Sequence, residues 1–96
     1  MKAKMIAALT GVLIAATARA APLEEDAVYS NDWSPSYAQT LADEATAVIR
    51  SSGYRCDSVS SIRAWVFSPG FDVYCNGYRY GYELKDRGGR WTATLK

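Results

Sequence analysis

The sequence predicts an α+β fold in which one N-terminal helix packs on a four-stranded antiparallel meander, with a disulfide joining Cys56 to Cys75. Three observations lead to this prediction. A capped segment after Trp33 has apolar residues at helical spacing, the chain from Val59 onward alternates apolar and polar residues, and turn residues separate the alternating runs.

The first 20 residues have the three-part pattern of a secretory signal peptide. Two lysines precede an apolar run at residues 5–16, and Ala18 and Ala20 place small residues where a signal peptidase cuts. We therefore expect cleavage between Ala20 and Ala21. A membrane anchor is the alternative, but the run of 12 residues is shorter than the roughly 20 that a spanning helix needs.

Cleavage would leave a periplasmic or secreted protein with no cysteine at the cut to carry a lipid and no later membrane span. Residues 21–33 are expected to form a loose acidic N-terminal segment, and residues 34–96 a single αββββ domain. Removal of three basic residues changes the net charge from +1 to −2, which disfavours nucleic acid as a partner.

The helix is expected to begin after Ser34, whose hydroxyl can cap it, with Pro35 at the first helical position. Gly53 predicts a left-handed cap at the other end, with Tyr54 folding back on the helix. The apolar stripe of the helix consists of Tyr37, Leu41, Ala45, Val48 and Ile49.

Four strands are expected, at Val59–Phe67, Phe71–Cys75, Tyr78–Lys85 and Arg90–Leu95. Asn76-Gly77 is a strong signal for a two-residue hairpin turn, and Ser68-Pro69 and Gly88-Gly89 predict the other two connections. These turns set the register and give the sheet a core face. That face consists of Ile62, Ala64, Val66, Phe71, Val73, Cys75, Tyr78, Tyr80, Tyr82, Leu84, Trp91, Ala93 and Leu95.

The two cysteines are expected to form a disulfide because they are the only two in the sequence and lie in a short domain that is expected to be exported. The predicted register places Ile62 opposite Cys75, six residues after Cys56. A fully extended chain would then hold the cysteines about 20 Å apart, whereas a disulfide needs Cα atoms within about 7 Å. Either the segment 56–58 bends back over the sheet, which we favour, or the first strand begins later than Val59.

The opposite face of the sheet is the candidate binding face. Five of its residues carry this interpretation: Arg63, Trp65, Phe67, Tyr74 and Arg79. The three rings are expected to lie close together, with the arginines beside Tyr74. Aromatic and arginine side chains concentrate binding energy in protein interfaces. In the alternative interpretation, the acidic segment or a loop covers the rings, or the arginines only stack on them.

The composition disfavours an enzyme. The absence of histidine excludes Ser-His-Asp and Cys-His catalysis and removes the commonest transition-metal ligand. With both cysteines in a disulfide, we expect no metal site and no cofactor. Asp72 and Glu83 are near neighbours on the outer face, but a catalytic carboxylate pair of the glycosidase type needs a deep cleft. A domain of this size has little room for one.

The segment Gly53–Val59, followed by Val73-Tyr74-Cys75-Asn76 and a tyrosine-rich strand, resembles small uncharacterised exported proteins of Gram-negative bacteria. That resemblance implies a helix-plus-sheet fold and no known activity. Tyr54-Arg55-Cys56-Asp57 is locally similar to a strand start in periplasmic lysozyme inhibitors, which also contain a disulfide. Those inhibitors are β-barrels without a leading helix and have a Trp-rich motif that is missing here, so none of their functional residues is transferred.

Two functions follow from the sequence. The first is a non-catalytic binding or interaction module that contacts a protein or envelope component through the aromatic outer face. The second is a small protein inhibitor of an envelope or foreign hydrolase such as lysozyme, which would present a loop such as Ser68-Pro69-Gly70.

Overall fold

The computed structural model describes residues 21–96, which contain one helix and five strands. In chain order these are β1 (Leu23–Val28), α1 (Pro35–Ser51), β2 (Val59–Ala64), β3 (Gly70–Cys75), β4 (Tyr80–Asp86) and β5 (Trp91–Leu95). The strands form one mixed sheet in the order β1-β2-β3-β4-β5, and α1 packs on one face. Within these residues the α+β class with a single helix is confirmed. The expected signal peptide lies outside the described residues.

The four predicted strands, β2 to β5, form the expected antiparallel meander. The prediction missed a fifth strand and is wrong about the N-terminal position of the helix, because β1 precedes α1 and pairs in parallel with β2. This strand lies within residues 21–33, where the sequence indicated a loose segment. The Gln39 side chain of α1 accepts a hydrogen bond from Leu23 N and donates one to Ala21 O, both at 3.2 Å. Val59 N donates to Pro22 O at 2.9 Å. The helix is therefore the crossover connection that a parallel strand pair requires.

The helix begins and ends at the predicted signals. Ser34 Oγ accepts a hydrogen bond from Tyr37 N at 3.1 Å, which caps the first turn. At the other end, Gly53 has a φ of +88° and Tyr54 N donates to Ile49 O at 3.1 Å. This is the Schellman arrangement, in which a left-handed residue lets the chain turn back and satisfy a terminal carbonyl.

The buried face of α1 is rotated from the predicted stripe. Tyr37 is 50% exposed, and Leu41 and Val48 are only partly buried beside the core. Small residues allow the helix to approach the sheet closely. The buried residues of the helix are Ala38, Ala42, Ala45, Thr46 and Ile49.

One of the three predicted hairpin registers is confirmed, and the other two are shifted by two residues. Leu84 is opposite Ala93, as the Gly88-Gly89 turn predicts. The connection between β3 and β4 is a four-residue loop at 76–79, so Cys75 faces Tyr80. Strand β2 ends at Ala64 rather than Phe67, and the longer loop 65–69 follows it.

Because both shifts are even, the alternation of inward and outward residues is kept through most of the sheet. The core contains Ile62, Val73, Cys75, Tyr82, Leu84 and Ala93, all on the predicted face. Five residues assigned to that face are instead exposed: Ala64, Val66, Tyr78, Trp91 and Leu95.

The disulfide between Cys56 and Cys75 is confirmed, with a Cα–Cα distance of 5.3 Å. The shifted register places Val59 rather than Ile62 opposite Cys75, and a bulge follows between Val59 and Ser61. The segment 56–58 bends before β2, which begins at Val59 as predicted. The two cysteines are therefore close enough to bond, and the long distance that the predicted register implied between them does not arise.

Candidate functional site

The most exposed large apolar side chains of the described residues lie in the 65–69 loop, which joins β2 to β3. Phe67 is 98% exposed and Val66 is 83% exposed. Full burial of a side chain of this kind is worth about 1.5–3 kcal/mol relative to exposure. The protein does not use this stabilisation within residues 21–96, so it is available to a binding partner.

The 65–69 loop is held to the sheet at both ends. Trp65 N donates to Gly70 O at 2.9 Å, and Asp86 N donates to Pro69 O at 3.3 Å. The Trp65 ring lies where a β-carbon on Gly70 would project, so only glycine fits beneath the indole. The sheet thus holds the base of the loop while Val66 and Phe67 face solvent.

Basic side chains lie at the end of the sheet that carries the 65–69 loop. Lys85 is directly opposite Gly70, and the turn after Asp86 carries Arg87 and Arg90, all three exposed. The Asp86 carboxylate accepts a hydrogen bond from Gly89 N at 2.6 Å. The apolar residues of the loop are therefore flanked by an excess of positive charge, although the net charge of residues 21–96 is −2.

Tyr74 is the centre of a second cluster on the outer face. Its ring covers Gly81, where a β-carbon would come within 2.6 Å, and lies 5.6 Å from the Tyr78 ring. Lys96 Nζ donates to the Tyr74 hydroxyl at 3.0 Å and also lies 3.6 Å from Asp72 Oδ1. The hydrogen bond with Tyr74 raises the pKa of Lys96, and the Asp72 carboxylate adds to the effect.

The structure divides the predicted binding face into these two parts. Trp65 and Phe67 belong to the 65–69 loop, and among the described residues neither ring pairs with the ring of Tyr74. The shifted register is the reason, because it places Ser61 rather than Arg63 opposite Tyr74. Asp72 correspondingly faces Glu83 rather than Gly81. The predicted arginines, Arg63 and Arg79, are both exposed.

A depression of about 630 Å³ adjoins the Tyr74 cluster where β1 ends. The pairing of β1 with β2 stops at Val28 and Ser61, so within residues 21–96 no strand lies beside residues 62–64 on that side. Arg63 and Tyr74 line this depression together with Val28. The depression therefore brings one predicted arginine and one predicted ring together.

Sequence reasoning missed the role of Val66, which it assigned to the core face. The signal that could have identified it is the run of four apolar residues at 64–67, directly before Ser68-Pro69. A half-buried strand alternates apolar and polar residues, whereas this run does not. The loss of alternation marks the end of β2 and the start of the exposed loop.

Glu24 is a second residue that the sequence did not identify. Its Oε2 atom accepts hydrogen bonds from Ser58 Oγ at 2.6 Å, Ser60 Oγ at 2.8 Å and Gly77 N at 2.9 Å. These bonds, with Ser58 the strongest contributor, hold the pKa of Glu24 below its ordinary value of 4.5. Tyr78 N donates to Ser60 Oγ at 3.0 Å and extends the network. The carboxylate therefore fastens β1 to the rest of the sheet.

The described residues contain no group of three or more acidic, cysteine or histidine side chains that could hold a metal ion. In the same part of the chain, no helix is long and apolar enough to cross a membrane. Comparison of the chain with protein-family models, with curated proteins and with solved structures finds no match.

Proposed function

We propose that this chain is a non-catalytic protein-binding module whose partner contacts the 65–69 loop. The observation that carries the proposal is Phe67, which is 98% exposed beside an 83% exposed Val66 on a loop held at both ends. A few aromatic anchors supply most of the energy of a protein interface. A positioned loop also loses less conformational freedom on binding than a mobile one.

The charges around the loop indicate the chemistry of the partner. Lys85, Arg87 and Arg90 are exposed at the same end of the sheet as Phe67. A partner with an apolar pocket bordered by aspartate and glutamate side chains would complement both the ring and the positive charge. Such complementarity accelerates association and selects among partners.

The test is the substitution Phe67→Ser. A partner captured from an envelope extract is purified, and its affinity for the wild type and the variant is measured by titration calorimetry. We expect about 30-fold weaker binding, since loss of an interface anchor costs about 2 kcal/mol. The free energy of unfolding should stay within about 0.5 kcal/mol of the wild type, as is usual for surface changes.

Leu95→Ser is the matched control for this test. Leu95 is 56% exposed at the far end of β5, so its loss removes apolar surface away from the loop. Binding should be unchanged in this variant. Equal affinities of the Phe67→Ser variant and the wild type would show that the partner does not use the loop.

Inhibition of a hydrolase is a second candidate function. The observation that favours it is an exposed loop that contains Pro69 and is closed by the Trp65–Gly70 hydrogen bond, which suits insertion into an enzyme cleft. In that case the captured partner is a hydrolase, bound at roughly nanomolar affinity and inhibited on binding. A captured partner without hydrolase activity would exclude the inhibitor function and would be consistent with the binding module.

We also propose that the protein is exported to the periplasm or secreted after removal of residues 1–20. The secretory pattern of those residues supports the proposal. The Cys56–Cys75 disulfide supports it as well, since disulfides persist in oxidising compartments.

A further inference from the structure

The helix leaves part of the inner face of the sheet uncovered. An open groove of about 360 Å³ remains between Leu41 and Val48 of α1 and the residues Ile62, Phe71 and Leu84 of the sheet. Ligand pockets in proteins usually have volumes of about 300–1,000 Å³ and mainly apolar walls. The groove meets both criteria.

An aromatic pair forms one wall of the groove. The Phe71 and Trp91 rings lie 5.8 Å apart at an angle of 30°, and both line the groove. Trp91 remains 38% exposed, so part of this residue is accessible to a bound molecule. Such a wall favours a ligand with an aromatic or flat apolar body.

Glu44 gives the groove a charge. It is the ionisable residue among those that line the groove, and its side chain is exposed. Among residues 21–96 its side chain has no hydrogen-bond or ion-pair partner. A carboxylate beside an apolar groove attracts a cationic group and repels an anionic one, and both effects grow where water is displaced.

We propose that the groove binds small molecules with an apolar, preferably aromatic, body and one amine group. The body packs against Phe71 and Trp91, and the ammonium group pairs with Glu44. This site is separate from the proposed protein contact, because Val66 and Phe67 do not line the groove. Failure of one proposal therefore leaves the other unaffected.

Two probes with the same apolar body test the proposal. Residues 21–96 are titrated with 4-phenylbutylamine and, separately, with 4-phenylbutyrate. NMR is used to follow the methyl groups of Leu41 and Val48 and the indole of Trp91. We expect saturable shifts of these signals with the amine and binding at least 10-fold weaker with the carboxylate.

Substitutions then test the role of the charge. Glu44→Gln should remove the difference between the two probes without changing the fold, since Glu44 is exposed and unpartnered. Glu83→Gln, which removes a negative charge from the opposite face of the sheet, should preserve the difference. Val48→Phe should weaken the binding of both probes, because the larger side chain fills the groove.

Three results would overturn the proposal. They are shifts that do not saturate at any of the three reporter residues, equal binding of amine and carboxylate by the wild type, and an undiminished amine preference in the Glu44→Gln variant. If Val48→Phe proves unfolded, the probe titrations of the wild type and of Glu44→Gln still decide the outcome.

Discussion

Glu24 joins three parts of the domain through one carboxylate oxygen. Its partners Ser58, Ser60 and Gly77 are 34, 36 and 53 residues away in the sequence. Hydrogen bonds to a charged acceptor are stronger than those to a neutral one. A strand at the edge of the sheet is thereby fixed in a parallel pairing that its own sequence does not indicate.

We predict that Glu24→Gln lowers the free energy of unfolding by about 1–2 kcal/mol at neutral pH, because a neutral amide accepts these bonds less strongly. The pKa of Glu24 is below 4.5 in the folded state. The stabilisation is therefore complete above the unfolded-state pKa and is lost as the pH falls through the lower folded-state pKa. Urea denaturation across this pH range measures the difference.

Glu25→Gln is the control for this prediction. Glu25 is exposed on the same strand, so its substitution should leave stability nearly unchanged at neutral pH. A difference between wild type and Glu24→Gln that persists at low pH would show that the carboxylate charge is not responsible.

At the scale of the elements, the disulfide is one of three attachments that hold the segment between α1 and β2 in place. Cys56 is held to the end of β3 by the bond to Cys75, and Arg50 Nη2 of α1 donates to Cys56 O at 2.8 Å. The Tyr82 hydroxyl donates to Arg55 O at 2.6 Å, and burial raises the pKa of this phenol. The chain between α1 and β2 is therefore attached to both the helix and the sheet.

We predict that replacing Cys56 and Cys75 together with serine lowers the free energy of unfolding by about 2–5 kcal/mol, because the unfolded chain gains conformational freedom. Guanidinium denaturation measures the loss. Wild-type protein that has been reduced and alkylated should be destabilised comparably. An unchanged denaturation midpoint in the double variant would show that the bond does not contribute to stability.

The turns show which elements can be predicted locally. Gly88-Gly89 gives the expected register because the turn is stabilised by neighbouring residues, such as Asp86. Asn76-Gly77 does not, because its groups bind distant residues. Asn76 Oδ1 accepts from Asp57 N at 2.8 Å, and Gly77 N binds Glu24. The turn consequently widens to four residues, three of which have positive φ.

At the scale of the whole molecule, both proposed binding features lie toward one end of the sheet. Phe71 of the groove comes after Gly70, at the end of the 65–69 loop. Trp91 of the groove comes directly after Arg90, in the turn that also carries Arg87. The small buried residues of α1 bring it close to the sheet, and the larger Leu41 and Val48 stand at its border. The uncovered groove results from this placement.

Processing is also a property of the whole chain. We predict that the exported protein begins at Ala21, because Ala18 and Ala20 satisfy the preference of signal peptidase for small residues. Intact-mass spectrometry of periplasmic or secreted material checks this. Ala20→Phe should block the cleavage and leave the precursor mass. A wild-type mass that retains residues 1–20 would contradict the prediction.

The sequence by itself determined the helix with both caps, the disulfide, the last hairpin and the inward face of most of the sheet. Each depends on residues close together in the chain or on a period that an even shift of register does not disturb. The tertiary structure alone decided the pairing of β1, the four-residue loop at 76–79 and the separation of Phe67 from Tyr74. The first two depend on hydrogen bonds between residues far apart in sequence, at Glu24 and Asn76, which no local pattern records. The third follows from the shifted pairing of β2 with β3, which places Ser61 opposite Tyr74.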